Sequence, residues 1–236
     1  MLVRLAAVTA LCLAATQNPN SSLATFKNYN RTFQLQLPDG WRQIRPTEAA
    51  ELSEVVAAPP DIHPCNPRAL YTVGPIEQWL AGKFDSPWLR VYEQKDQWYI
   101  EDDYEQTIRD QWQKQSERSN VSHQVVDVRL EKLGTQQVEC VVVTRVSTPP
   151  KPRAVTQSLD VHAPTANQQL ILSFGCPPEQ FAQWQPEFRH WLDTLTFARA
   201  PEPPATLSDR LWTPLLVGGA VGLVLLLLYK HTRAGR

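Results

Sequence analysis

Catalytic signatures are missing from this sequence. It contains no GxSxG, HExxH, P-loop or GxGxxG stretch. Glycine is scarce, and between residues 17 and 210 only Gly40, Gly74, Gly82, Gly134 and Gly175 occur, too dispersed for a phosphate-cradling loop. A run of basic residues is also lacking. The 17–210 stretch carries 19 Lys and Arg against 24 Asp and Glu, a net of −5, which argues against nucleic acid as a partner. Zinc spacing is absent: His63-Pro64-Cys65 could recruit His123 or His162, but the intervals match no zinc pattern. Glu101, Asp102 and Asp103 lack the spacing of a calcium loop and read as a helix start. No cofactor is implied. With 42% apolar and 20% charged residues, the chain is not disordered, a coiled coil or a polytopic membrane protein.

What is present is concentrated at the ends. Residues 1–16 (MLVRLAAVTALCLAAT) combine Arg4, an apolar or small run and a small-residue finish, the pattern of a signal peptide. An uncleaved anchor is disfavoured because the run is too short to span, and a lipid-modified Cys12 because Leu11 stands where a small residue is expected. Leu211 to Tyr229 hold no charge. Nineteen residues at ~1.5 Å rise cover about 28 Å, close to the ~30 Å hydrocarbon layer. Trp212 and Tyr229 mark its edges, and Lys230, His231, Arg233 and Arg236 follow at once. The positive-inside bias therefore puts the 230–236 tail in the cytoplasm and the 17–197 domain outside it. Residues 198–210, with Pro201, Pro203 and Pro204, read as a stiff linker. Gly218 and Gly222 form a GxxxG spacing, a candidate face for a homodimer within the membrane.

Between these ends, alternation in 32–37 predicts a strand, Pro38-Asp39-Gly40 a turn, and 41–44 a short returning strand. A helix follows with Thr47 as its N-cap. Residues 58–87 carry six prolines and read as a long irregular connection containing one helix over 75–84. WLRVYE (88–93) predicts a strand. Ile100, Tyr104, Ile108 and Trp112 recur every four residues and predict an amphipathic helix. Four antiparallel strands follow over 126–130, 138–146, 154–162 and 170–174. Phe181, Trp184, Phe188, Trp191, Leu192 and Leu195 share one face of a final helix, with a kink or break expected at Pro186. The order predicts an α+β domain, an antiparallel sheet flanked by helices, followed by one C-terminal transmembrane helix.

Three stretches, FQLQLPDGWRQI, WLRVYE ahead of a long helix, and LILSFGCPPEQFAQWQPEFRHWLDTLTF, make residues 30–197 resemble the PsbP-like α/β/α sandwich group. The resemblance is one of pattern and order. It implies a curved antiparallel sheet with helices on both faces, and a scaffold used mostly for binding and assembly. It transfers no functional residue.

Once the signal is removed, three cysteines remain. Cys140 is in phase with Val138 and Val142, as a buried small hydrophobe would be. Cys65 and Cys176 lie in proline-flanked loops, either as a disulfide pair, which an extracytoplasmic compartment allows, or as free thiols. Asn20, Asn30 and Asn120 open N-glycosylation sequons. Trp79, Trp88 and Trp98 cluster around the irregular stretch; they would mark a partner surface if exposed and a packed loop if buried. The expectation is a membrane-anchored extracytoplasmic binding or assembly domain without catalytic activity, engaging another envelope protein through 58–98. The alternatives are a thiol-dependent or hydrolytic enzyme and a small-molecule carrier.

Overall fold

A computed structural model describes residues 22–55, 70–94, 98–165, 169–199 and Gly222. The segments 1–16 and 230–236, the linker beyond Arg199, the 211–229 run except Gly222, and Cys65 lie outside the described residues. Among the described residues no helix is long and apolar enough to cross a membrane.

Two antiparallel sheets organise the domain. The smaller joins β1 (Leu23–Lys27), β2 (Phe33–Pro38) and β10 (Thr196–Phe197) in the order β1-β2-β10. The larger contains β3 (Arg42–Gln43), β4 (Leu70–Gly74), β5 (Trp88–Gln94), β6 (Ser122–Leu133), β7 (Val138–Thr148), β8 (Thr156–Pro164) and β9 (Gln169–Cys176). Its order is β3-β4-β5-β9-β8-β7-β6. Four helices complete the chain: α1 (Pro46–Ser53), α2 (Ile76–Leu80), α3 (Tyr104–Arg118) and α4 (Pro178–Asp193).

Successive strand side chains point to opposite faces, and here both faces are covered. One face sends Leu89, Val142, Leu159, Val161, Leu172 and Phe174 into a core with Phe188 and Trp191 of α4 and Phe33, Leu35 and Leu37 of β2. The Phe174 and Phe188 rings stack at 5.3 Å, and Trp41 meets Trp191 edge-on at 5.2 Å. The other face packs Val128, Val141 and Val143 against Ile108 of α3, with Trp98, Ile100 and Trp112 alongside. Each such side chain contributes about 1.5–3 kcal/mol on burial. β7 reads as a central strand because it is covered twice, although it lies next to the β6 edge. The turn after β6 is fixed to the end of the chain: Thr135 N donates to Leu195 O at 2.8 Å, and Gln136 exchanges bonds with the Phe197 backbone at 2.7 and 2.8 Å.

Several expectations change. The 41–44 segment does not return on β2; Arg42 and Gln43 pair with Gly74 and Val73 of the large sheet. α1 starts at Pro46, with Arg45 in the cap position. Thr47 is therefore inside the helix, and it is Glu48 that reaches back to Arg45 N at 2.9 Å. α3 starts at Tyr104, because Asp102 and Asp103 form a turn ahead of it. Pro186 does not break α4, which is one helix from Pro178 to Asp193. Its ring forfeits the bond to the carbonyl four residues back. Pro186 and Ala182 are both exposed, so that carbonyl lies on the solvent side, while Phe181, Phe188 and Trp191 hold the helix down.

Candidate functional site

The β7–β8–β9–β5 register lays polar side chains in rows on the α3 side of the sheet. Val143 pairs with Asp160, Asp160 with Ser173, and Ser173 with Arg90. One row along, Arg145 pairs with Ser158. At the sheet end, His123 pairs with Ser147 and Ser147 with Thr156. These residues alternate with Leu159, Val161, Val142 and Val146, which turn to the α4 core or its margin, so the same pleat builds an apolar face and a polar one.

Arg145 and Asp160 form the centre. The Arg145 side chain is 8% exposed and that of Asp160 0%. Arg145 Nε donates to Asp160 Oδ2 at 2.8 Å and Nη2 to Oδ1 at 3.4 Å, and Ser173 Oγ also donates to Oδ1. Desolvation pushes the Asp160 carboxyl up, but Arg145 and the Ser173 hydroxyl outweigh it, so the group is held below its ordinary value and stays ionised. The Arg145 guanidinium lies 3.8 Å from the Trp112 ring centre, a cation–π contact that α3 supplies.

Arg145 also fixes a histidine tautomer. Its Nη1 is 3.0 Å from His123 Nδ1 and bonds Ser147 Oγ. A guanidinium only donates, so Nδ1 accepts and the His123 proton sits on Nε2. The His123 ring packs on Trp112 at 4.9 Å. His162 is fully buried; burial, and secondarily Arg145, lowers its pKa to about 4 against the pull of Asp160, so it is neutral at pH 7. Gln169 Nε2 lies 3.3 Å from its Nδ1, which accepts, while its Nε2 finds no partner among the described residues.

This polar face ends in a cleft of about 340 Å³. Its floor includes His123, Ser147 and Thr156; the end of α3 supplies Gln115, Ser119 and Asn120; the β7–β8 turn supplies Pro149, Pro150 and Arg153; Arg90 closes one side. Asn120 of the third sequon is therefore on the cleft wall. Asn30 of the second donates to Glu93 Oε2 at 3.0 Å, beside Asn28, which bonds Oε1 at 2.6 Å.

Of the anticipated site residues, Cys65 and Gly218 lie outside the described residues. Trp79 and Trp88 are 1% and 3% exposed, packed with Ile44, Leu52 and Ile76, so they offer no partner surface. A Cβ on Gly175 would meet the Trp88 ring at 2.5 Å, and Gly74 lies equally close under Trp79. Trp98 is half-buried, 6.1 Å from the His162 ring. Cys140 and Cys176 are buried thiols without a disulfide among the described residues, each pushed up to about 12, chiefly by burial. His123 and His162 stand apart: their β7 partners, Ser147 and Val141, are six residues apart along the strand, about 20 Å. Arg145, Asp160 and Ser173 were missed, because alternating polar residues in a strand read as a solvent face.

No protein-family model and no curated protein matches the sequence. Solved structures similar to the chain share little sequence with it. The chain is similar to the solution structure of cyanobacterial PsbP from Synechocystis, at 8% identity and a TM-score of 0.49, over 82% of this chain and 98% of that one. It is also similar to the Saccharomyces cerevisiae Ran-binding protein Mog1p, at 11% identity and 0.41, over 71% and 84%. A third similarity is to a protein from Bacteroides thetaiotaomicron, at 14% identity and 0.40, over 74% of this chain and 48% of that one. A PsbP, the protein that gives its name to the group the sequence pattern resembles, is one of the structures to which the chain is similar.

Proposed function

We propose that this chain is a non-catalytic binding or assembly domain, exported across the cytoplasmic membrane and held outside it by one helix over 211–229, with Gly218 and Gly222 as the face of a homodimer. Its partner is another envelope protein. The observation that supports this over an enzyme using the Cys176 thiol, rather than that of Cys65, is the burial of Cys176. Its thiol is fully buried and pushed up to about 12, whereas a nucleophilic cysteine needs an accessible thiolate. Within 58–98, the exposed apolar side chains are Leu80 and Tyr92 among the described residues, and these replace the buried tryptophans as the contact surface. The test crosslinks the full chain in its host membrane, intact and with Leu80→Glu or Tyr92→Glu. Loss of a crosslinked envelope protein is expected; an unchanged partner set refutes the surface. Protease added to sealed cells should remove the globule, and a protected globule refutes the orientation. A second reading, a small-molecule carrier, is favoured by the 340 Å³ cleft, which falls in the ~300–1,000 Å³ range of ligand sites.

A further inference from the structure

The large sheet ends on β6, and no strand pairs with its outer side among the described residues. An edge strand points every second N–H and C=O outward, a template for another strand. Shortness is one way of blunting an edge. The opposite edge, β3, is two residues long, whereas β6 runs for twelve.

Two features shape the β6 edge. The register slips between Val125 and Asp127, and Val125 O accepts from Arg109 Nη1 at 3.2 Å, so the bulge closes that end. Beyond the bulge the side chains alternate. Val126, Val128 and Leu130 lie on the α3 side, where Val128 clusters with Ile108. Val126 and Leu130 are 55% and 38% exposed, so the edge carries an apolar strip that its own fold leaves uncovered. Asp127, Arg129 and Glu131 lie on the other side. Arg129 bridges Asp127 at 2.8 Å and Glu131 at 3.3 Å, and Arg189 of α4 holds Glu131.

This order of side chains is complementary to itself in one antiparallel register. A two-fold axis through Val128 sets Val126 opposite Leu130 and Asp127 opposite Arg129, each pair occurring twice. Apolar groups then meet apolar ones on one side of the sheet, and opposite charges meet on the other. Neighbouring registers lack that match. An axis through Asp127 sets its carboxylate against its own copy. An axis through Arg129 opposes Asp127 to Glu131, and one through Leu130 opposes Val128 to Lys132. Neither charge has to be free for the pairing. The intrachain bridge is about half exposed, where an ion pair adds little, and a guanidinium carries five donors. Arg129 keeps its own Asp127 and gains the partner's Asp127.

We infer that the β6 edge is an interface for a second copy of this chain, which pairs antiparallel about Val128 and continues the sheet across the two-fold axis. This goes beyond the membrane-helix face at Gly218 and Gly222 and stands without it.

The experiment mixes full-length Val126→Cys and Leu130→Cys proteins in mild detergent under an oxidant, and maps disulfides by peptide mass spectrometry, which separates them from bridges of the native cysteines. Directly opposite positions have Cβ atoms about 4.5–5.5 Å apart, so a bridge between 126 and 130 is expected in the mixture. Within either variant alone the two copies of the new cysteine stand four positions apart, about 13 Å, and no bridge between them is expected. Absence of the 126–130 bridge from the mixture overturns the interface, and a bridge within one variant alone overturns the register. Asp127→Arg, added to both partners, should lower the yield of the bridge about tenfold by setting like charges opposite. Adding Arg129→Asp as well should restore it. All four positions are on the outer strand, and circular dichroism checks the fold. An unchanged yield with Asp127→Arg, or no recovery in the charge swap, overturns the pairing. The bridge should persist when both partners carry Gly222→Ile. Its loss there would leave the edge no affinity of its own and overturn the inference, whereas its persistence leaves the membrane-helix dimer to be judged separately.

Discussion

Asp160→Asn is the substitution that reaches furthest into this structure. Asparagine fits the same space but removes the charge that compensates Arg145, whose side chain is 8% exposed beside a fully buried carboxylate. Breaking one partner of a buried pair costs about 3–5 kcal/mol, because the other charge stays stranded. Asparagine keeps one acceptor for Arg145 Nε, so the lower end applies, about 3 kcal/mol. At about 2–4 °C per kcal/mol for a domain of this size, the midpoint should fall by about 6–12 °C. Thermal unfolding of the full chain in mild detergent, read by near-ultraviolet circular dichroism, measures it. The reasoning has a second arm. Arg145→Met with Asp160→Leu removes both charges and should return to within about 1 kcal/mol of wild type, since apolar replacement of a buried pair is often neutral. The double variant should also lose the His123 tautomer lock while stability returns. A cost below about 1 kcal/mol for Asp160→Asn, or a double variant as unstable as the sum of the two single ones, would refute the account.

Acid should destabilise the domain in two stages. His162 is neutral and buried at a pKa of about 4, below the ~6.5 of a free imidazole, so the unfolded chain takes the proton first. Its stabilisation is complete above about pH 6.5 and is lost as pH falls to about 4, by up to ~3 kcal/mol. Asp160 is held down, so its contribution is lost only below ~3.9, as pH falls through its folded value. His162→Gln should flatten the upper stage alone in a pH series of unfolding midpoints. Gly175→Ala should cost about 1–3 kcal/mol, because the new methyl meets the buried Trp88 ring; a midpoint equal to wild type would contradict that packing. Cys140 and Cys176 should resist iodoacetamide at pH 8 in the folded chain and react in urea, as mass spectrometry of peptides would report.

Legibility in the sequence follows how much one local pattern decides. β2, β5, α3 and α4 could be read because each buries a face of large apolar side chains at its own period. β1 could not: most of LATFK is exposed, so no alternation marks it. β4 lay within a proline-rich stretch and ends on Gly74, whose missing side chain makes room for Trp79. β10 is two residues long and exists only through pairing with β2. The polar face was hidden for a different reason. Ser158, Asp160 and His162 alternate with Leu159, Val161 and Ala163 as a half-exposed strand would, and nothing local to β8 tells that the region around Trp98 and Trp112 covers that side. The cleft is a property of four strands, one helix end and one turn, and no single stretch of sequence contains it.

The clasp between the β6–β7 turn and the Leu195–Phe197 carbonyls has a practical corollary. It pins the point from which the chain leaves the globule to one end of β7, whereas the cleft opens beside the turn at the other end. Eleven residues of strand, at about 3.3 Å each, separate the two by roughly 35 Å. A tether on the chain beyond Arg199 therefore starts from the end of the sheet away from the cleft. Surface immobilisation for ligand measurements belongs at that end.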